Sequence, residues 1–208
     1  MVLRGQELKA IIQQSFDDAL NWKNHPKFCD NNALKASALV SNLGRSLCEL
    51  LKTHDITLNV VTVDGEGHKK PGEWLLDIVI TKNDSNGFRK QIVWAIESET
   101  DTGLKPFCDD FAKLVHVKSE NYLYMNGLNH KTTKGRDEYV ANRLKYATSV
   151  LTKMDIQFLY LGFWASPCKP DNDVVYSIWD ELPSGRFQHL RKILLYFYQD
   201  GHFTEIVS

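Results

Sequence analysis

The sequence predicts an α/β fold with a mixed central sheet flanked by helices. Three observations predict it. The first fifty residues carry apolar side chains at three- and four-residue spacing; residues 56–99 change to the two-residue alternation of strands; helix and strand patterns then take turns along the rest of the chain. With 208 residues, 43% of them hydrophobic, the chain is long enough to bury one good core. Residues 1–208 therefore read as a single domain, with N-terminal helices over 6–53, a central core over about 33–125 and a helix and strand extension over 136–208.

Leu8, Ile11, Ile12, Phe16, Ala19 and Leu20 predict a first helix from Gln6 to Trp22, closed by a loop containing Pro26. Asp30-Asn31-Asn32 offers N-cap side chains, and Leu39, Val40, Leu43, Leu47 and Leu50 carry a second helix to about Thr53. Ile56 to Val63 alternates and is β-branched, which predicts a half-buried strand. After the polar loop Asp64 to Gly72, the stretch Glu73 to Thr81 reads as a strand apolar on both faces. Asn83-Asp-Ser-Asn-Gly87 is a turn, and Lys90 to Glu99 is the third strand of a meander. Pro106 suits a first helical turn, and Phe107, Phe111, Leu114 and Val115 give that helix a buried face. Asn121 to Met125 predicts a fourth strand, followed by a polar loop over Asn126 to Gly135 and a helix from Asp137 to Thr152. Ile156 to Trp164 and Val174 to Trp179 read as strands, and Phe187, Leu190, Leu194 and Phe197 as a last helix.

Lys and Arg number 25 against 26 Asp and Glu, a net charge of -1, so the chain does not coat nucleic acid by bulk charge, and a polyanion would have to meet a local patch. Cys29, Cys48, Cys108 and Cys168 form no C-x-x-C pair, which argues against a zinc knuckle or a disulfide framework. The seven histidines show no metal-binding spacing, and no serine sits in a G-x-S-x-G elbow. No window is apolar enough to span a membrane and no secretory leader is recognisable, so no membrane partner is expected and a cytoplasmic location is.

The acids placed among apolar residues carry the functional signal. Asp77 interrupts Trp74-Leu-Leu-Asp-Ile-Val-Ile80, where an unpaired carboxylate is costly. Glu97 and Glu99 close the next strand and, two residues apart, share a face. If the turn at 83–87 joins these strands as a hairpin, Asp77, Glu97 and Glu99 converge. Three hard oxygen ligands suit Mg²⁺ or Mn²⁺, which neutralises a phosphodiester, activates a water and stabilises the leaving oxygen.

With this order of helix, three strands, helix and strand, and with Asp77 and Glu97-Ser98-Glu99 in these places, the chain resembles the PD-(D/E)XK, or restriction-endonuclease-like, nuclease superfamily. The resemblance implies an αβββαβ core over residues 33–125. It also implies a Mg²⁺- or Mn²⁺-dependent endonuclease acting on DNA, with RNA not excluded and a homodimer as one arrangement that lets two sites reach two strands. Asp77 and Glu97 match the metal-binding acids of the family, and the Ser98 carbonyl matches its main-chain ligand. Glu99 stands where the family usually has Lys, a form similar to the E-x-E variant of some type II restriction enzymes. Two replacements for that lysine remain open: Glu99 as ligand or general base, and Lys113 projecting from the following helix. Alternatively Lys113 pairs with Asp109 at i, i+4 on a solvated face, worth a few tenths of a kcal/mol. Lys69 and Lys70 before Asp77, and Lys131, Lys134 and Arg136 in the later loop, are candidate contacts to a nucleic-acid backbone.

Overall fold

The two N-terminal apolar stripes become helices α1 (Gly5–Leu20) and α2 (Asn32–Lys52). Leu8 and Ile12 of α1 are buried against Val40, Leu43, Leu47 and Leu51 of α2, one stripe on each helix. The computed structural model describes residues 5–20, 32–53, 55–62, 75–99, 101–128, 133–165 and 192–207. α2 lies close on the sheet at Gly44, where a Cβ would come within 2.9 Å of Ile78 Cγ2.

Among the described residues the sheet has seven strands: β1 (Leu58–Thr62), β2 (Ile78–Asn83), β3 (Arg89–Glu99), β4 (Asn121–Gly127), β5 (Leu159–Ala165), β6 (Lys192–Gln199) and β7 (His202–Glu205). They lie side by side in chain order. β1, β2 and β3 form the expected antiparallel meander, with Ile78 opposite Ile96. β4 and β5 then run parallel to β3, because each is reached through a crossover helix, α3 (Leu104–His116) and α4 (Thr133–Leu151). β6 and β7 return antiparallel. The strand period of two sends Ile78, Ile80, Trp94, Ile96, Leu123 and Leu195 toward α1 and α2. It sends Val79, Ala95, Tyr124, Leu161 and Leu194 toward α3 and α4, where Phe107, Phe111 and Leu114 meet them.

Three expectations are corrected. Leu194 and Phe197 belong to β6, not to a last helix. Ile193 to Tyr198 is apolar throughout because β6 is covered on both faces, and such a run mimics a helical stripe. Asp200 (φ 52) and Gly201 (φ 85) both adopt positive φ, which closes a β6–β7 hairpin the periodicity did not announce. β2 starts at Ile78, so Asp77 stands at its entry instead of its middle. α4 starts at Thr133, which moves Lys134 and Arg136 from a loop to the first turns of a helix. The strand expected over 174–179 lies outside the described residues. Among the described residues no helix is long and apolar enough to cross a membrane.

A candidate acidic site between the sheet and the third helix

The β2–β3 register builds the site. Continuing the ladder one step from Ile78 and Ile96 sets Asp77 across from Glu97, on the sheet face that α3 covers. Asp77 Oδ2 accepts the Ser98 N–H at 2.9 Å, so a side chain takes the place of the next ladder bond and the strand pairing stops there. An extended strand projects the N–H and C=O of one residue from the same edge, which turns the Ser98 carbonyl to the Asp77 side. Glu97 is 2% exposed.

From the other side, α3 contributes two charged residues. Lys113 Nζ lies 3.2 Å from Glu97 Oε1 and 2.5 Å from Asp110 Oδ1. The first contact is an ion pair off the line of a hydrogen bond, so Glu97 Oε1 has no hydrogen-bond partner among the described residues. Asp110 in turn lies close enough to Glu99 to raise its carboxyl, and Glu99 Oε1 accepts the Asp101 N–H at 2.6 Å. The charged groups therefore form a chain from Asp77 through Glu97, Lys113 and Asp110 to Glu99. Lys113 does not take the alternative partner, since Asp109 pairs with Lys105.

The electrostatics follow from burial. Burial raises the Glu97 carboxyl far above its ordinary range, and the neighbouring Asp77 raises it further; Lys113 opposes both. Burial also raises Asp77, while the Ser98 N–H and a hydrogen bond from Glu97 hold it down. Two ionised carboxylates side by side in a buried site would repel strongly. A shared proton, carried by Glu97 and donated to Asp77, is the lower-energy arrangement. Glu99 is raised by its burial and then by Asp110. For Lys113, burial alone would lower the pKa, but the contacts with Asp110 and Glu97 outweigh it and keep the ammonium charged.

Hard oxygens from Asp77, Glu97 and Glu99, joined by the Ser98 carbonyl, are the donor chemistry that Mg²⁺ and Mn²⁺ take. Glu97 Oε1, buried and lacking a hydrogen bond, is one such donor held ready. The donors are not gathered as a preformed cage: among the described residues no three His, Cys, Asp or Glu side chains are grouped to hold an ion, and the Lys113 ammonium stands between Glu97 and Asp110.

Of the expected nucleic-acid contacts, Lys69, Lys70 and Lys131 lie outside the described residues. Lys134 sits 3.8 Å from Glu138 and Arg136 2.9 Å from Asp137, both on α4. Glu49 on α2, opposite the Leu43, Leu47 and Leu50 stripe, is exposed and paired with Lys52. A cleft of about 470 Å³ beside Met154, Phe158 and Tyr198 lies at the opposite end of the sheet and includes no residue of the acidic chain. Asp110 is the member that reading the sequence missed. Its signal was present, because it adjoins the Phe107, Phe111 and Leu114 stripe and stands three residues before Lys113. Compared with family models, curated proteins and solved structures, the chain matches none.

Proposed function

We propose that this protein is a metal-dependent endonuclease of the restriction-endonuclease-like kind, hydrolysing phosphodiester bonds of DNA. The observation that carries the reading is the meeting of Asp77 and Glu97 across β2 and β3, with Glu99, Asp110 and Lys113 beside them. Mg²⁺ or Mn²⁺, when bound, supplies an activated water and charge for the phosphate. Asp77, Glu97 and the Ser98 carbonyl would hold it. On binding, Glu97 would release to solvent the proton it shares with Asp77, so that both acids could serve as anionic ligands. Glu99, in its ionised form a stronger base than an ordinary carboxylate because burial raises its pKa, would accept a proton from the attacking water. Lys113, which now pairs with Glu97, would offset the charge of the phosphate.

The reading is tested by incubating supercoiled and linear DNA with Mg²⁺ or Mn²⁺. Asp77→Ala and Glu97→Ala should each lower cleavage by about a hundredfold or more. Cleavage undiminished in both variants overturns the assignment. RNA offered beside DNA separates the two substrates.

A second reading is favoured by one observation. The Lys113 ion pair already compensates Glu97 with an internal cation, as in a nuclease-like fold that binds DNA or protein without cleaving. Calorimetric titration with Mn²⁺ in the presence of DNA distinguishes them, since the binding module takes up no metal.

A further inference from the structure

The carbonyl groups where the chain leaves β3 find their donors in side chains. Asn126 on β4, fully buried, donates through Nδ2 to the Glu99 carbonyl at 2.9 Å and, more distantly, to the Asp101 carbonyl at 3.3 Å. Its Oδ1 accepts the Tyr139 hydroxyl from α4 at 2.6 Å, with the Gly127 carbonyl as a second acceptor at 3.0 Å. One turn along α4, Arg143 donates from Nη2 to the Thr102 carbonyl at 2.8 Å. Its guanidinium lies over the Tyr139 ring, 3.9 Å from the centroid, and 5.5 Å from that of Phe107.

Burying these groups is costly, and that cost points to a role. A buried arginine ordinarily pairs with a carboxylate. Arg143 is 6% exposed, makes no ion pair among the described residues, and leaves Nε without a hydrogen bond. Its charge is aimed at a backbone carbonyl instead. What the three side chains jointly hold is the backbone of the β3–α3 connection at Glu99, Asp101 and Thr102, just before Gly103, the N-cap of α3. That connection sets the distance between the acids on β3 and the Asp110 and Lys113 pair on α3.

We propose that Asn126, Tyr139 and Arg143 are positioning residues that fix the β3–α3 connection and, through it, the spacing of the acidic site. The purpose rests on the nuclease reading; the ordering of the connection does not. The experiment has two arms, native-state hydrogen exchange at the Asp101 and Gly103 amides and calorimetric titration of the whole chain with Mn²⁺. Asn126→Ala should speed exchange at those two amides by about tenfold relative to Ile96 and Leu123 in the core. It should also weaken Mn²⁺ binding by about tenfold. Arg143→Lys, which keeps a charge and a donor, should show a smaller change in both. Leu151→Ala, a core truncation on α4 remote from the connection, should lower the unfolding midpoint and leave both readouts as in wild type. Should Asn126→Ala fail to fold, Tyr139→Phe removes one hydroxyl and is expected to move the same two amides. Unchanged exchange at Asp101 and Gly103 in a folded variant overturns the proposal, as does an equal response in Leu151→Ala. Faster exchange with undiminished Mn²⁺ affinity overturns the link to the site. A wild-type chain that binds no Mn²⁺ overturns the nuclease reading, and the exchange arm still decides the proposal.

Discussion

Lys113 Nζ stands 3.2 Å from Glu97 Oε1, so the cation nearest the most buried acid of the site comes from α3 and not from the strand that carries the acid. In Lys113→Met that compensation is lost, and the single negative charge that the Asp77–Glu97 pair holds around its shared proton is left buried without a cation. Removing one partner of a buried ion pair costs about 3–5 kcal/mol, but the Lys113 side chain is 37% exposed and water screens part of the loss. The expected destabilisation is about 1–3 kcal/mol by urea unfolding at neutral pH. Added Mn²⁺ should recover more of the stability in the variant than in wild type. An unchanged midpoint in the variant would show that the ion pair carries no stability.

The proton shared by Asp77 and Glu97 makes stability and metal binding respond to pH in opposite directions. Glu97 is raised in the folded chain from an ordinary value of 4.5, so over the interval above that value the folded state binds more protons than the unfolded one. Its contribution to the metal-free protein is complete below pH 4.5 and is lost as pH rises through the folded pKa. Metal affinity should rise over the same interval, because the proton must leave before the ion binds. Glu97→Gln should flatten the stability dependence. Denaturation midpoints and Mn²⁺ titrations across that range check both signs, and a metal-free protein that gains stability from this pair as pH rises would contradict the shared proton.

Gly44→Ala sets two effects against each other. Alanine improves the propensity of α2 by about 1 kcal/mol. The new Cβ, however, would lie 2.9 Å from Ile78 Cγ2 and 3.3 Å from Val60 Cγ2, where helix and sheet meet. Overpacking of this kind costs about 1–3 kcal/mol, so a net loss of up to about 2 kcal/mol is expected in thermal unfolding. A raised Tm would mean that α2 rides away from the sheet without cost.

Gly201→Ala should destabilise by about 1–2 kcal/mol, because φ is 85 there and a side chain is strained in that region. No neighbour lies within 4 Å of the added Cβ, so the effect isolates backbone strain. Asp200→Asn, at φ 52, should be close to neutral, since asparagine tolerates the same region.

The β2–β3 hairpin was legible because Asn83 to Gly87 is turn chemistry between two apolar runs, and the register of that hairpin brings Asp77 to Glu97. α3 was legible from its buried stripe and from Pro106 in the first turn. Asp77 at the strand entry was not, because the ladder stops only when the carboxylate takes the Ser98 N–H, a long-range bond that composition does not reveal. β6 was misread because a strand covered on both faces has no alternation to detect. The Asp200-Gly201 pair was the better clue, and its weight lies in two backbone angles. Asn126 reads in the sequence as the start of a polar loop and Arg143 as one more basic group for a nucleic-acid backbone, since a polar residue looks the same whether it faces water or holds a buried carbonyl.

The chain-order sheet has a bearing on how the protein assembles. Each strand pairs with the strand before it, so no later strand has to be threaded between two earlier ones. Every member of the acidic chain falls between residues 77 and 113, on two adjoining strands and the helix that follows them. Contacts this near in sequence close small loops and form early relative to distant pairings. As the polypeptide leaves the ribosome, the elements that carry the acids are complete before the last two strands are made. The positioning groups on β4 and α4 emerge next, so the order of synthesis brings first the charged cluster and then the side chains that hold its connection in place.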